Sequence, residues 1–478
     1  MTTRFIGRNK EIQGLQHLMK KKSASLVIIK GRRRIGKTRL AEQFGEDFDT
    51  YYSFVGLAPS KRTTPQKQKQ EFLRQMKRQG IRSLEDDDWG SLFDDVAEAC
   101  KKGNILVLLD EISWMSLGDE TLLPKLKNTW DLHFKKNPRL ILIVSGSNST
   151  WIEKNLLNTT GFVGRISYRL TLEELSLSES NKFWGKYANH ISAFEKLKIL
   201  SITGGIPRYL EEILPQESAE ENIHRLCFTK EGLLFHEFED IFSDSLSTKS
   251  DYYKPIITML ADKKLTLAEI SKALGKDRSD GTASGYLEDL CSVGFITQDY
   301  TWDLESGKES KVRLFRLSDN YMRFYLKFIE PNKEKILADT MRSLPIGWDS
   351  IMGLQFENLI LSKKNRLKIY ELLGIPLDSI IQAGPFFQTQ TARKQKCQID
   401  FLIQTKEGSL YVCEIKFKKD KLDRQVITEL KDKIKRLKRK KYMSCRPVLI
   451  HVNGVNETVA QSDFFIKIID FSKLLNEK

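Results

Sequence analysis

Cysteine is scarce in this sequence, and no two cysteines stand in a C-x-x-C spacing. Six cysteines are scattered over 478 residues, at positions 100, 227, 291, 397, 413 and 445. This pattern supports neither a disulfide framework nor a zinc site, and it is typical of a reducing cytoplasm. No apolar run approaches the ~20 residues of a membrane helix. Residues 1–8 hold no apolar stretch of a signal peptide, so we expect a cytoplasmic protein outside the membrane.

Acidic side chains are fewer than basic ones. The chain carries 78 Lys and Arg against 63 Asp and Glu, a formal net charge of +15. Residues 416–441 hold 13 basic and 4 acidic side chains, an excess of nine positive charges in one segment. Such clustering is typical of a nucleic-acid partner, although the solvated face of a helix shows it too. The length predicts three or four domains, and the composition is that of a globular protein.

The motif with the most specific chemistry lies near the amino terminus. Residues 31–38 have the sequence G-R-R-R-I-G-K-T, between a short apolar run and a segment of helical character. Strand, glycine-rich turn and helix form the context in which this spacing binds nucleotide phosphates. A glycine turn that matches the motif by chance is the alternative.

The residues of this turn have separate tasks in phosphate binding. Gly31 and Gly36 allow successive backbone N–H groups to point into one concavity. Lys37 supplies a charge for the β- and γ-phosphates, and Thr38 supplies a hydroxyl ligand for Mg²⁺. The predicted nucleotide-binding residues of the motif are Gly31, Arg34, Gly36, Lys37, Thr38 and Arg39.

Two further apolar runs end in polar residues that fit the same site. One run leads directly into Asp110 and Glu111, and a later run leads towards Ser147 and Asn148. At the carboxyl end of a neighbouring strand, Asp110 can hold magnesium through water and Glu111 can polarise the attacking water. Ser147 and Asn148 would reach the γ-phosphate side. Helix capping is the alternative for the two acids, and a plain loop is the alternative for the other two residues.

Two arginines outside these strands are candidates for phosphate contacts. Arg165 can act as a finger on the phosphate of a neighbouring copy, which implies a homo-oligomer. Pairing with a carboxylate is the alternative. Arg208 follows Pro207, which suits the first turn of a helix, so Arg208 can reach back to the nucleotide. A simple hinge between helices is the alternative.

The middle of the chain is predicted to be mostly helical. Residues 59–71 are polar and basic, and we expect an exposed connection there. Residues 172–249 have helical periodicity throughout. Residues 251–317 have the pattern of three helices and a hairpin, a winged helix-turn-helix. Its third helix carries Glu288 and Asp289 and no Lys or Arg. We therefore favour a scaffolding or protein-contact role for this unit over a role in the DNA major groove.

A second candidate site follows from the spacing in a predicted hairpin. With the turn centred on Glu407, Asp400 lies directly opposite Glu414. Opposed side chains sit roughly 5 Å apart at Cβ, and Lys416 shares their face of the sheet. Two carboxylates this close repel each other unless a divalent cation lies between them. We expect a metal that activates water against a phosphodiester, with Lys416 orienting that water. Gln398 falls opposite Lys416, near the same site.

The surroundings of this hairpin leave alternatives open. The opposite face of the sheet is predicted to be core, and ion pairs on an exposed face are the alternative to a metal site. Glu357, on a preceding helix, is either a third metal ligand or an exposed helix acid. Residues 421–441 are predicted to form an amphipathic helix that packs on the sheet and offers positive charge to a phosphate backbone.

Taken together, these motifs resemble those of the archaeal-type ATPases of the STAND/AAA+ group. The carboxyl-terminal region resembles the PD-(D/E)XK nuclease-like domain that is often fused to them. The likeness rests on residues 5–8 (F-I-G-R), 31–38, Leu109-Asp-Glu111, Ser145-Gly-Ser147, Gly164-Arg165, Gly204-Gly-Ile-Pro-Arg208, Leu317-Ser-Asp319, Arg323-Phe324, Phe356-Glu357, Asp400 and Glu414-x-Lys416. Ile399 stands where the nuclease motif often has proline.

The resemblance implies an α/β multidomain protein. It implies a P-loop core with a parallel sheet at residues 1–171, a helical lid at 172–249, a winged helix at 250–320 and a restriction-endonuclease-like domain at 321–478. It also implies a nuclease constellation of Glu357, Asp400, Glu414 and Lys416.

We expect an ATP-hydrolysing switch coupled to a metal-dependent nuclease domain. We favour DNA as the nucleic acid on which it acts, and genome defence or control of mobile elements as its role. ATP and Mg²⁺ are the expected cofactors, with Mn²⁺ as an alternative at the nuclease site. The alternative function is a signalling ATPase whose last domain binds DNA or a protein partner without cleavage.

Overall fold

The computed structural model describes residues 5–60, 62–83, 88–244, 250–275, 282–390 and 395–477. It divides into two compact units. The first unit comprises Met1–Leu175, Ile206–Arg208 and Glu239–Ser250, and the second comprises Ser176–Gly205, Tyr209–Phe238 and Asp251–Lys478. The four predicted domains divide the chain more finely, and their boundaries stay predictions. Within the described part of the chain, no helix combines the length and the apolar character that a membrane crossing requires.

The first unit is built on a parallel sheet of five strands, in the order β2-β3-β4-β1-β5. All residues of β3 and β4 are buried, because helices cover both faces of the sheet. The strands are β1 Ser25–Lys30, β2 Thr50–Val55, β3 Ile105–Asp110, β4 Leu140–Gly146 and β5 Ile166–Thr171. The helices are α1 Asn9–Met19, α2 Lys37–Gly45, α3 Pro65–Arg78, α4 Trp89–Ala99, α5 Ile112–Met115, α6 Leu122–Leu132 and α7 Ser149–Ile152.

The prediction of an exposed connection at residues 59–71 is wrong for its second half. Helix α3 begins at Pro65, and the Thr64 side chain accepts a hydrogen bond from the Lys67 backbone N–H. Phe72 and Met76 are buried against the sheet, together with Gln68. The apolar face of α3 is narrow, so the many polar residues around it concealed the helical period.

The second unit begins with a helical region. Its helices are α8 Leu177–Asn181, α9 Ala193–Thr203, α10 Pro207–Leu210, α11 Ala219–Cys227 and α12 Leu233–Asp244. Both α10 and α12 contribute residues to each of the two units. The Ser218 hydroxyl and the Glu221 carboxylate cap the start of α11 reciprocally. The predicted helical character of this region is therefore confirmed within its described residues.

Three helices and a small antiparallel sheet follow, which we call the three-helix module (residues 250–317). Its sheet has the order β6-β8-β7. The elements are α13 Ser250–Asp262, β6 Leu265–Thr266, α14 Leu267–Ala273, α15 Thr282–Val293, β7 Ile296–Trp302 and β8 Glu309–Leu317. The sequence predicts the third helix at Gly281–Val293, and its first residue, Gly281, lies outside the described residues.

The last part of the chain forms a mixed five-stranded sheet in the order β13-β12-β11-β10-β9. Strands β9, β10 and β11 are antiparallel neighbours, whereas β11, β12 and β13 run parallel. The strands are β9 Ile380–Gln388, β10 Cys397–Thr405, β11 Ser409–Ile415, β12 Ser444–His451 and β13 Lys467–Asp470. The helices are α16 Asn320–Phe324, α17 Lys333–Leu337, α18 Met352–Ile360, α19 Lys363–Leu373, α20 Gln425–Arg436 and α21 Glu457–Ala460.

Both faces of this second sheet are covered. Leu402 and Val412 pack against Leu430 of α20 on one face. Phe401 and Cys413 are fully buried on the other face. The face that carries Asp400 and Glu414 is therefore itself part of the core, whereas the sequence predicted core only on the opposite face.

The hairpin of the three-helix module is anchored in this second sheet. Trp302 and Leu304 are buried in the apolar cluster beneath α20. The Trp302 indole N–H donates to Gln404 Oε1 at 2.6 Å, and Gln404 Nε2 donates to the Leu304 carbonyl at 3.1 Å. Trp302 and Leu304 thus make a structural contact within the second unit.

We expect Trp302→Ala to destabilise the second unit by about 3–5 kcal/mol, because it opens a cavity and removes the partner of Gln404. Chemical denaturation of the full chain measures this. Tyr442→Ala is the control, since Tyr442 is 66% exposed and its loss should change stability by less than about 0.5 kcal/mol. Equal stability of the two variants would contradict the anchoring role.

Candidate functional site

The P-loop turn has the backbone shape that an anion requires. Strand β1 ends at Lys30 and α2 begins at Lys37, with Gly36 at the N-cap position. Arg34 and Gly36 have φ values of 64° and 91°, both in the left-handed region. Such a turn before a helix directs N–H groups into one concavity at the positive end of the helix dipole. The structure thus provides the phosphate cradle that the motif predicted.

Lys37 is held inside this cradle by oxygen atoms. Its Nζ donates to the carbonyls of Gly31 at 3.1 Å and Arg32 at 3.4 Å, and lies 3.5 Å from Glu111 Oε1. The side chain is 6% exposed. A nucleotide phosphate would offer this ammonium a doubly charged partner in place of two neutral carbonyls.

The carboxyl ends of β3 and β4 meet at the same edge of the sheet. Thr38 Oγ1 donates to Asp110 Oδ2 at 2.5 Å, and the Ser145 hydroxyl donates to the other oxygen of Asp110. Glu111 has a φ of 51° and therefore a backbone that non-glycine residues rarely adopt. Ser147 holds the side chain of Glu111, since both its N–H and its hydroxyl donate to Oε2, at 2.9 and 2.8 Å.

The neighbouring residue Asn148 does not share this arrangement. Its side chain accepts a hydrogen bond from the Trp151 N–H at 2.9 Å and caps α7. The structure therefore matches the loop alternative for Asn148, whereas it places Ser147 beside the predicted base.

The arginines of the P-loop contact acids that the sequence did not single out. Arg34 Nη2 lies 3.0 Å from Asp240 Oδ2, and Arg33 donates to the Asp240 carbonyl at 3.3 Å. Arg32 lies 3.6 Å from Glu174. Asp240 belongs to α12, more than 200 positions later in the sequence. No local pattern connects these residues, so only the fold reveals the pairs.

Arg39 points away from this chemistry. It pairs with Glu42 at 3.3 Å one turn later on α2, and both side chains are exposed. Its predicted contact with nucleotide finds no support in this geometry.

Arg165 and Arg208 differ in their distance from the P-loop. Arg165 immediately precedes β5 and binds Asp131 with two nitrogen atoms, at 2.8 and 2.9 Å. Because Ile166 pairs with Leu26 at the start of β1, Arg165 lies about five residues, or roughly 16 Å, along the sheet from the P-loop. This arrangement matches the ion-pair alternative. Arg208, in contrast, follows Pro207, whose Cγ lies 3.9 Å from the Cβ position of Gly36.

Asp400 and Glu414 meet in the second unit. The register of β10 and β11 pairs Phe401 with Cys413, so the next pair is Asp400 with Glu414, as the turn predicted. The carboxylates are 11% and 1% exposed. Asp400 Oδ2 also accepts the backbone N–H of Ile415 at 3.0 Å. Burial, together with the negative charge of Glu414, raises the pKa of Asp400.

A lysine that the sequence did not single out lies between these carboxylates. Lys433 of α20 places its Nζ 2.6 Å from Glu414 Oε2 and 3.4 Å from Asp400 Oδ1. Burial lowers the pKa of Lys433, but the two carboxylates outweigh burial and raise it. The ammonium thus has the position in which a divalent cation would bridge the two acids.

Lys416 takes part in the same ion network. Its Nζ lies 3.0 Å from Glu414 Oε1 and 2.8 Å from Glu429 Oε2. Burial lowers its pKa, yet the bonds to Glu429 and Glu414 raise it overall. Glu429 and Lys433 are four residues apart and so share a face of α20. That spacing was the signal available in the sequence, hidden among the many charges of the helix.

Glu357 lies beside this network on α18. Burial and the charge of Asp400 raise its pKa to about 7. Glu357, Gln398 and Asp400 line one cavity of about 290 Å³. Glu357 is therefore not an exposed helix residue, and the charges of Asp400 and Lys433 both act on it.

Among the described residues, no group of three or more His, Cys, Asp or Glu side chains is arranged to hold a metal ion. The metal-binding role of Glu357, Asp400 and Glu414 stays a prediction. Two buried carboxylates with a cation between them nevertheless fit a metal site by their chemistry, since oxygen ligands suit Mg²⁺ and Mn²⁺.

Comparison with known proteins finds a similarity for the first part of the chain. Residues 5–213 match the sequence model of an ATPase domain found predominantly in archaea. Over these residues the chain is similar to that ATPase domain, and the matched segment contains the parallel five-stranded α/β sheet. The match does not reach the C-terminal sheet.

One curated relative spans nearly all of the chain. The uncharacterized protein MJECL04 of Methanocaldococcus jannaschii is 25% identical over 437 residues, which is 88% of this chain and 89% of that protein. Two solved structures are similar to part of the chain. A Walker-type ATPase of Pyrococcus abyssi is 18% identical, covering 68% of this chain and 96% of that chain with a TM-score of 0.48. The ORC2 protein of Aeropyrum pernix, solved with ADPNP and ADP, is 15% identical, covering 71% and 97% with a TM-score of 0.42.

The raised pKa of Glu357 predicts a pH-dependent stability. The folded chain holds this proton more tightly than the unfolded chain, whose pKa is near 4.5. The stabilising contribution is therefore complete below that pH and is lost as the pH rises towards 7. We expect Glu357→Gln to raise the free energy of unfolding by about 1–3 kcal/mol at pH 8 and to change it little at pH 4.5.

Thermal melts of both proteins across this pH range measure the effect. Glu334→Gln, at an exposed acid of α17, is the control and should leave the melting temperature unchanged. If Glu357→Gln instead stabilised the protein at pH 4.5 and had no effect at pH 8, the raised pKa of Glu357 would be contradicted.

Proposed function

We propose that this protein binds and hydrolyses ATP and uses the nucleotide state as a switch. The observation that carries the proposal is the meeting of Lys37, Thr38, Asp110 and Glu111 at one edge of the first sheet. Phosphate cradle, hydroxyl, acid and base then lie within reach of one γ-phosphate. The archaeal ATPase match over the same residues supports it.

Each side chain has a task in this proposal. Lys37 leaves the Gly31 and Arg32 carbonyls for the β- and γ-phosphates. Thr38 and Asp110 would hold Mg²⁺, which neutralises phosphate charge when bound. Glu111 accepts the proton of the attacking water, and Ser147 fixes the orientation of its carboxylate. The Thr38–Asp110 hydrogen bond keeps both oxygen ligands in place before nucleotide arrives.

The proposed switch uses the pair between Arg34 and Asp240. Phosphate and Asp240 are both anions that Arg34 can bind, so nucleotide at the P-loop competes with the 3.0 Å ion pair. Asp240 belongs to α12, and Leu233–Phe238 of the same helix belong to the second unit. Nucleotide state can thus be passed along one helix. Whether Arg165 assists a neighbouring copy stays a prediction.

We expect Glu111→Gln to bind ATP and to hydrolyse it about 10²- to 10⁴-fold more slowly, because the general base is lost. Lys37→Ala should weaken ATP binding itself. Phosphate release and binding of a fluorescent ATP analogue separate the two effects. Lys101→Ala, at a lysine that is 64% exposed, is the control. Unchanged turnover in Glu111→Gln would disprove its role as base.

For the second unit we propose a metal-dependent nuclease-like domain that acts on nucleic acid. Glu357 and Asp400 line one cavity, and Lys433 joins Asp400 to Glu414, which pairs with Lys416. Asp400 and Glu414 would hold the metal, which lowers the pKa of bound water when present. Lys416 stabilises negative charge on the phosphate, and Lys433 has to leave its bridging position before a divalent cation can enter.

Binding of nucleic acid without cleavage is the second candidate. It is favoured by the contacts of Lys416 and Lys433 with Glu414, because these contacts satisfy the carboxylates in the absence of metal. We interpret the three-helix module as a winged helix in both cases. Its hairpin, anchored through the buried Trp302 and Leu304, and the acids of α15 support a scaffolding role over binding in a DNA groove.

We expect Asp400→Asn to remove Mn²⁺-dependent cleavage of DNA or RNA and to leave ATP hydrolysis unchanged, because the substitution removes a metal ligand in the second unit alone. Gel assays on single strands and duplexes, with and without ATP, measure this. Asp432→Asn, at a carboxylate that is 50% exposed on α20, should cleave as the wild type does. If the wild type cleaves no nucleic acid with Mg²⁺ or Mn²⁺, the nuclease proposal is contradicted and binding without cleavage is the remaining candidate.

A further inference from the structure

A cavity of about 290 Å³ lies beside Glu357 and Asp400 within the second unit. Lys264 and Arg316 of the three-helix module line part of its wall. Helix α18 and the ends of β9 and β10 supply the rest. The module therefore contributes side chains directly to the candidate nuclease-like site.

The wall formed by the module carries a net positive charge. Asp299, 5% exposed, lies 3.0 Å from Lys264 Nζ and 2.8 Å from Arg316 Nε. Burial raises the pKa of Asp299, but the two cations outweigh burial and lower it, so this carboxylate is ionised. Arg316 also donates to Asn358 on α18. Asp299 neutralises one of these two cations, so this part of the wall keeps a positive charge, which also acts on the neighbouring Glu357.

The remaining lining is largely apolar. Leu314, Phe386 and Phe387 line the cavity, and so does Leu354, which is 38% exposed. An apolar aromatic surface next to a cationic wall has the chemistry of a nucleotide site, because bases stack on aromatic rings and phosphates bind Lys and Arg.

The size of the cavity decides between single and double strands. Its volume is close to the lower end of the roughly 300–1,000 Å³ of small-molecule sites. One nucleotide fits such a space, whereas a base within a duplex has to leave its pair and its stack to enter it.

We propose that this cavity binds one unpaired nucleotide of a nucleic-acid strand, with its phosphate at Lys264 and Arg316 and its base against Phe387. This inference rests on the proposed action on nucleic acid and narrows the substrate to single strands or frayed ends. Glu357 and Asp400 then lie next to the bound nucleotide, at the entrance to the carboxylate network.

Fluorescence anisotropy of the full chain tests the inference, with labelled 12-nucleotide oligothymidylate, oligouridylate and a DNA duplex of equal length, all in EDTA. The single strands should bind more tightly than the duplex. Lys264→Gln should weaken strand binding about tenfold, because a charged hydrogen bond is lost. It should also reduce the slope of log K against log salt by about 0.7. Phe387→Ala should weaken binding by about tenfold through lost stacking.

Lys263→Gln is the matched control, because Lys263 is an exposed neighbour of Lys264 outside the cavity lining. Thermal melts establish that each variant is folded. Equal losses in the Lys263 and Lys264 variants, duplex binding as tight as strand binding, or no binding of any oligonucleotide would each overturn the inference. The comparison of DNA and RNA strands shows whether the 2′-hydroxyl matters.

Binding in EDTA separates this inference from the proposed cleavage. If the wild type binds strands through Lys264 but never cuts them, the cavity assignment is supported and the proposed nuclease activity is contradicted. If the wild type cuts strands but the Lys264→Gln variant binds them normally, the nuclease activity is supported and the cavity assignment is contradicted.

Discussion

A buried charge needs a partner, and in both units that partner lies on an element far away in the sequence. Lys37 lies against Glu111 at the edge of the first sheet. Lys433 lies between Asp400 and Glu414 in the second. Removing one member of such a set would leave the others charged in a medium that solvates them poorly. The contacts that stabilise the fold are therefore the same contacts that a phosphate or a cation has to replace.

The two units bring their charged residues together by different topologies. In the first, parallel strands end at one edge, so residues that follow β1, β3 and β4 meet there without any hairpin. In the second, an antiparallel turn places Asp400 and Glu414 opposite each other, and α20 covers them. Lys433 of α20 is a cationic partner of both covered carboxylates, beside the Ile415 N–H and Lys416 of the strand side.

Local patterns predicted much of this arrangement. The P-loop spacing, the apolar runs and the symmetry of the turn around Glu407 each depend on residues close in sequence, so each could be found without a fold. Helix α3 shows the limit, because its narrow apolar face lies among many polar residues. Asp240 and Lys433 show another limit. Each is one charge among many on its helix, and no local rule distinguishes it.

The sequence by itself determined which chemical groups follow each strand, since strand, turn and helix are set by neighbouring residues. It also determined the register of the β10–β11 hairpin, because a short turn fixes which residues are opposed. Only the tertiary structure decided which cations those groups contact and that the second carboxylate site is covered on both faces. Ion pairs such as Arg34 with Asp240 join residues more than 200 positions apart, and such distances are closed by packing of whole elements, not by local preference.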